Sequence, residues 1–270
     1  MTVKAKKHLG QHFLTDKNIC RKIADQYGFH EGCKRVLEIG PGTGALTEYL
    51  LKLDQIDLMV MDVDGESITY LNDHFPALHG KIKEADFLRI NVAKEFGEAP
   101  FAVVGNFPYN ISSQILFKCL EHRNQIPEIM GMFQKEVAER VAEPPGSKQY
   151  GILSVLLQAF YSIHYCFTVD EHVFNPPPKV KSGVIRCVRN ERKSLECDES
   201  LFIRVVKMAF NQRRKTLRNS LKALLNGQQL SESFSNQRPE KLSVDDFVQL
   251  TVEIQRCMNV NENTQELTIE

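Results

Sequence analysis

One stretch limits the possible folds more than any other: Val36-Leu37-Glu38-Ile39-Gly40-Pro41-Gly42-Thr43-Gly44-Ala45-Leu46-Thr47. An apolar run, a glycine-rich turn and a helical pattern in succession predict a strand, a tight loop and a helix. Glycine lets backbone adopt positive φ and approach a ligand closely. A dinucleotide site would need G-x-G-x-x-G, with a pyrophosphate resting on the helix N-terminus. Here the spacing is G-x-G-x-G, and Glu38 stands before the first glycine. A carboxylate there repels a pyrophosphate and suits a cation. S-adenosylmethionine, with a sulfonium, an ammonium and no phosphate, meets that demand. The plainer alternative is a strand-to-helix turn that binds nothing.

The strands that follow end in chemistry-bearing residues. A second strand at 56–61 runs into Asp62, 22 positions past Gly40. Nucleotide-binding folds place an acid near that distance to accept ribose hydroxyls, and Asp64 is a rival for the role. A third strand near Ile82 leads to Asp86, which suits the adenine amino group. A fourth at 101–105 ends in Asn106-Phe107-Pro108-Tyr109. Asn106 offers an acceptor oxygen. Pro108 holds Phe107 extended, so that its carbonyl faces outward. Tyr109 offers a flat face for a base. Two acceptors beside an aromatic plate suit a planar ring with an exocyclic NH2. The plainer alternative is a proline turn that keeps the next helix off the sheet.

Helical patterns then cover 111–122, 135–142 and 150–161, with a Pro-Pro-Gly loop at 144–146. Strand patterns fall at 126–133, 162–169 and 183–189. This alternation predicts a doubly wound α/β layer. Ahead of it, a basic arm with Lys4, Lys6, Lys7 and His8 leads to a helix that Asp16 would cap, with Ile19, Ile23 and Ala24 on one face. Between the last two strands, Val173-Phe174-Asn175-Pro176-Pro177-Pro178-Lys179-Val180 predicts a stiff extended loop. It either presents Phe174 as the second face of a base clamp or tucks it under a rigid connector.

A polar linker at 190–200 separates this layer from a different pattern. The chain has 34 basic and 34 acidic residues, so any basic surface must be local. One exists: 201–229 holds seven positive residues and no acid. Apolar spacing there predicts two amphipathic helices, joined by Asn211-Gln212-Arg213-Arg214-Lys215. A one-signed cluster on a polar turn points to phosphate contact. A last helix begins at Ser243, with Asp246 completing its cap, and a disordered tail is expected after Met258. Seven scattered cysteines without Cys-x-x-Cys point to free thiols in a reducing compartment and to no zinc site. With no apolar signal core and no stretch long enough to span a bilayer, a cytoplasmic protein with no membrane partner and no metal is expected.

Five motifs in this order resemble the small-subunit ribosomal RNA adenine dimethyltransferases of the KsgA/RsmA family. They are Gly10-Gln11-His12-Phe13-Leu14, the glycine turn from Glu38 to Gly44, Asn106-Phe107-Pro108-Tyr109-Asn110, the Phe174 proline loop to Val180, and Phe210-Asn211-Gln212-Arg213-Arg214-Lys215-Thr216-Leu217-Arg218. The resemblance implies a Rossmann-like S-adenosylmethionine-dependent methyltransferase domain at 1–190 and a small all-helical C-terminal domain at 191–270. It implies cofactor contacts from His12, Leu14, Gly40, Asp62, Asp86 and Asn106, joined by Glu38 and Gly42 of the glycine turn. Asn106, Phe107, Tyr109 and Phe174 would act on the base, and Arg213, Arg214, Lys215 and Arg218 on RNA. The implied substrate is two adjacent adenosines near the 3′ end of 16S rRNA, each converted to N6,N6-dimethyladenosine. The partner would be the immature small ribosomal subunit, met by a monomer. Alternatives are the related large-subunit enzyme of macrolide resistance and a non-catalytic assembly factor. His12, Asp62, Phe107 and Lys181 depart from the commonest family pattern, which has Asn, Glu, Leu and an acid there.

Overall fold

The computed structural model describes residues 3–266, with side chains as far as Met258. The chain forms two compact units, one of Met1–Ala142 with Tyr161–Arg189, the other of Glu143–Phe160 with Asn190–Glu270. A single cut was expected after residue 190. The chain crosses there, and it also crosses earlier, so that 143–160 groups with the helices.

The first unit is built on strands β1 (Phe13–Leu14), β2 (Arg35–Ile39), β3 (Asp57–Asp62), β4 (Ile82–Glu84), β5 (Ala102–Asn106), β6 (Glu128–Gln134), β7 (Tyr161–Val169), β8 (Phe174–Asn175) and β9 (Ser182–Arg189). Seven of them form one sheet in the order β4-β3-β2-β5-β6-β9-β7, and β1 pairs with β8 apart from it. The sheet is parallel from β4 to β6 and antiparallel at β9 and β7. The chain builds outward from β2 through β3 to β4, then returns to lay β5 on the other side of β2. A ligand crevice belongs at such a reversal, outside the carboxyl ends of the strands.

Period-two alternation sets the core. Val36, Leu58, Val60, Ala102, Val104, Met130 and Val184 share one cluster with helical residues Ile23, Leu50 and Leu71. Leu37, Val103, Ile129 and Phe133, which alternation turns to the other face, are equally buried. Both faces are therefore covered, as a parallel sheet requires. Helices of this unit are α1 (Lys17–Ala24), α2 (Thr47–Leu50), α3 (Gly65–His74), α4 (Val92–Phe96), α5 (Ser112–Glu121) and α6 (Lys135–Ala142). Asp16 caps α1 as expected, accepting from the backbone N–H groups of Asn18 and Ile19.

The second unit comprises α7 (Ile152–Gln158), α8 (Glu199–Asn211), α9 (Leu217–Ser220), α10 (Glu232–Ser235) and α11 (Val244–Glu266). α8 packs on α7 and α11. The second amphipathic helix is shorter than its leucine spacing suggested. After Ser220 the chain tightens into a 3-10 turn at Lys222–Leu224 and then reverses through Asn226 and Gly227 at positive φ. Leu217, Leu221, Leu224 and Leu225 are buried all the same. Ser243 and Asp246 cap α11 reciprocally: the Asp246 carboxylate accepts from Ser243 N at 2.8 Å, and Ser243 Oγ accepts from Asp246 N at 3.1 Å. α11 continues past Met258 to Glu266, and the rest of the expected tail, 267–270, lies outside the described residues. No helix among the described residues is long and apolar enough to cross a membrane.

One buried ion pair ties the sheet to the loop after α1. Glu128 is fully buried, and its carboxylate accepts from Gly28 N, His30 N and Arg186 Nε at 2.9, 2.9 and 2.6 Å. Glu128→Ala leaves Arg186 and two amides unpaired, and is expected to lower unfolding free energy by about 3–5 kcal/mol in urea titrations. Asp16→Ala, which only removes the α1 cap, is expected to cost about 1 kcal/mol.

Candidate active site

The carboxyl ends of β2, β3, β4 and β5 converge on a cavity of about 200 Å³, roofed by residues 9–13 of the N-terminal arm. Gly40, Gly42, Asp62, Asp86, Asn106, Phe107, Tyr109 and His12 all line it. The glycine turn is held tight against the arm. Gly42 has φ 57°, and a Cβ there would lie 2.7 Å from the Phe13 ring.

Each acid has a distinct place. Asp62, buried at the end of β3, accepts from Gly42 N at 3.2 Å and from Asp64 N at 3.0 Å. Burial pushes its carboxyl above the ordinary range, against the pull of those backbone donors. Asp64 points elsewhere. Its carboxylate caps α3 through Glu66 N, pairs with Lys6 Nζ at 2.5 Å and accepts from Gln11 Nε2 and Ser67 Oγ. The structure thus separates the two rivals: Asp62 faces the cavity, and Asp64 fastens the arm to α3. Asp86 also faces the cavity, with one oxygen accepting from Leu88 N at 2.9 Å and the other 3.3 Å from Arg89 Nε.

Glu38 lies deeper. It lines a small adjoining space of about 20 Å³ with Leu14, Gly40 and Asn106. Thr47 Oγ1 donates to it at 2.6 Å, and no cation pairs with it among the described residues. Burial pushes its carboxyl up to about 8, opposed by the Thr47 hydrogen bond and aided by the Asp62 charge.

The Asn106 tetrapeptide is fixed from two sides. Asn106 Nδ2 donates to the His12 carbonyl at 2.9 Å, which leaves Oδ1 as a free acceptor. Phe107 N donates to Met132 O at 3.2 Å, and the Phe107 ring is buried 5.0 Å from that of Phe133. Among the described residues, nothing donates to Asn106 Oδ1 or to the Phe107 carbonyl. Tyr109 is fastened through its hydroxyl, 2.5 Å from Ser182 Oγ, and stacks on the His12 ring at 5.4 Å between centroids. The His12 Nδ1 is in turn 2.8 Å from Pro176 O.

Phe174 is not brought to the cavity. Its backbone pairs with Leu14 across β1 and β8, and its side chain, 4 % exposed, belongs to the core. The extended proline loop therefore tucks this ring away. Lys181 pairs with Asp170 at 2.6 Å. In the other unit, Arg214, Lys215 and Arg218 are exposed, while Arg213 is half-buried and donates to Ser147 O at 3.0 Å.

Two residues that the sequence reading passed over shape the site. A Cβ on Gly105 would sit 2.5 Å from Ile39 O, and one on Gly131 would sit 2.3 Å from the Phe107 ring. A lone glycine inside an apolar strand is the signal that would have found Gly131, since it marks close approach of a neighbour.

The family model described as ribosomal RNA adenine dimethylase matches residues 2–256. A Cytophaga hutchinsonii protein named ribosomal RNA small subunit methyltransferase A is 58 % identical over 251 residues, covering 92 % of this chain and 96 % of its own. A Bacteroides thetaiotaomicron protein of the same name is 54 % identical, covering 95 % and 96 %. Among solved structures, a dimethyladenosine transferase from Plasmodium falciparum superposes with a TM-score of 0.73 at 26 % identity, covering 91 % of this chain and 98 % of its own. The 23S rRNA methyltransferase ErmE superposes with a TM-score of 0.65 at 25 % identity, covering 88 % and 98 %.

Gly131→Ala tests the support beneath Phe107. The added methyl is expected to cost about 1–3 kcal/mol of stability. It is also expected to speed amide hydrogen exchange across 107–111, where the displaced ring loosens the turn.

Proposed function

We infer the reaction from the premise that the chain belongs to the ribosomal RNA adenine dimethylase family. It is an enzyme that dimethylates adenine in the RNA of the small ribosomal subunit, with S-adenosylmethionine as methyl donor. We take the substrate to be two adjacent adenosines near the 3′ end of 16S rRNA, carried to N6,N6-dimethyladenosine. The enzyme would act in the cytoplasm as a monomer, on an immature subunit. We assign the sheet unit, 1–142 with 161–189, to catalysis and the helical unit to RNA contact, through Arg214, Lys215 and Arg218.

The cavity fits this donor. Carboxylates stand at its strand ends, no lysine or arginine among the described residues lines it to hold a pyrophosphate, and the buried Glu38 pairs with no cation among them. Gly40, Gly42, Asp62 and Asp86 would hold the nucleoside part. His12, Leu14, Glu38 and Asn106 would surround the rest. When bound, S-adenosylmethionine supplies an electrophilic methyl group.

The chain's own task is to prepare the amine. The adenine amino nitrogen is a weak nucleophile, because its lone pair is delocalised into the ring. Asn106 Oδ1 and the Phe107 carbonyl would each accept one of its hydrogens and turn the lone pair out of the ring plane. These two neighbouring, unsatisfied acceptors are the observation that carries the proposal. Alignment of this kind is worth roughly 7–11 kcal/mol in favourable cases. After one methyl group is added, one N–H remains for one acceptor. The alkylated nitrogen is cationic and loses its proton to solvent, so no side chain is assigned as a base. Tyr109 offers the extruded base a face. Phe174 stays in the core and does not add a second face to that of Tyr109.

Asn106→Ala is expected to lower methyl transfer to small-subunit RNA at least about 100-fold, read by mass spectrometry of dimethyladenosine. A wild-type rate would sink the acceptor proposal. Glu38 gives a second test. Below about pH 8 its carboxyl holds a proton that an arriving cation must displace. Calorimetric affinity for S-adenosylmethionine is expected to rise by up to about tenfold per pH unit until pH 8, then level off. Glu38→Gln is expected to abolish that slope. The same raised carboxyl favours folding at acid pH, and that contribution fades as pH climbs toward 8.

A further inference from the structure

We propose that the loop at 144–149 and the basic junction at 211–218 form one phosphate-binding surface, in which Lys148 contacts RNA and Arg213 instead holds the loop in place. This rests on the reading above, in which the junction meets RNA.

Arg213 is committed within its own unit. Its Nη2 donates to Ser147 O at 3.0 Å, and its Nε lies 3.8 Å from Glu240 Oε2. That carboxylate oxygen is buried, with no hydrogen-bond partner. The guanidinium is therefore the charge that neutralises Glu240. Turning Arg213 outward to a phosphate would strand a partly buried carboxylate, a costly change.

The loop is stapled beside the junction by further contacts. Gly146 N donates to Glu240 O at 2.6 Å. Ser147 Oγ accepts from Gln149 N and Tyr150 N, each at 3.1 Å, and closes a tight turn. Tyr150 is fully buried, its ring 6.1 Å from Phe210, near the end of α8 and three residues before Arg213. Ser147 is fastened to Arg213, and Lys148 and Arg214 are the residues that follow the two ends of that bond. Lys148, Arg214, Lys215 and Arg218 are exposed, and no acid pairs with any of them among the described residues. Exposed cations without counter-ions are what a phosphate backbone displaces salt to reach. A lysine on a pinned loop meets phosphate as a point charge and specifies position, not sequence.

The test is the salt dependence of binding to a transcribed small-subunit RNA fragment, using the full chain. Lys148→Gln and Arg214→Gln are each expected to reduce the slope of log affinity against log salt by about 0.7–0.9. Lys94→Gln, on the sheet unit, should leave it unchanged. Arg213→Gln combined with Glu240→Gln removes both partly buried charges together and so protects folding. Placed in the Lys148→Gln background, that pair should leave the slope where it is. A further loss of about 0.7–0.9 would make Arg213 a phosphate contact and overturn the inference. An unchanged slope in Lys148→Gln, with a reduced one in Arg214→Gln, would also overturn it and leave the junction as the RNA contact. Unchanged slopes in both would remove the underlying reading as well.

Discussion

The site depends on one pairing, that of β2 with β5. Val36, Leu37 and Glu38 lie in register with Ala102, Val103 and Val104. The two strands run parallel, so both end at the same edge, and that edge is where the chain reverses direction across the sheet. The glycine turn leaves β2 there and the Asn106 tetrapeptide leaves β5 there. Neither motif could serve the other at any other position in the strand order. The pairing is also unusually close at its tip: the Ile39 carbonyl occupies the space that any side chain at residue 105 would need.

That closeness makes the two acceptors a property of the sheet more than of a flexible loop. Gly105 and Gly131 sit in register on adjacent strands, and together they vacate the volume that the Phe107 ring fills. With the ring buried and its amide bound to Met132, the Phe107 carbonyl has little freedom. From the opposite side, the His12 carbonyl takes the Asn106 amide hydrogen and so decides which end of that side chain is left to accept. Acceptors fixed before a substrate arrives need no reorganisation when charge develops on the amine.

Much of this was legible from local pattern. Short apolar runs ending at turn residues located the sheet strands, and side-chain caps at Asp16 and Ser243 located helix starts, because both depend on neighbours a few residues away. What was not legible depends on partners far along the chain. Asp62 and Asp64 are chemically alike in the sequence. Only Lys6 and Gln11, more than fifty residues earlier, commit Asp64 to the arm. Phe174 lay in a loop that fitted a clamp or a connector equally, and its pairing with Leu14 settles its burial. The charge run at 201–229 revealed its sign but not that Glu240 and Ser147 take up Arg213. Leucine spacing after Thr216 announced a buried face, which a short helix followed by a 3-10 turn satisfies as well as one long helix.

Glu38 is where, on the proposed reading, the same constraints would select a ligand. Its carboxyl sits at the switch point of the sheet, fully buried, with a single hydroxyl donor and another acid nearby. Burial keeps it protonated near neutral pH, so the fold by itself avoids the large cost of an unpaired buried charge. A phosphate brought close would meet an acid that cannot become favourable by ionising, since ionisation adds repulsion. A cation meets a group that gains by ionising. On the proposed reading the fold needs no permanent charge to prefer a positive ligand: desolvation would hold the carboxyl neutral until a partner that rewards its ionisation arrives.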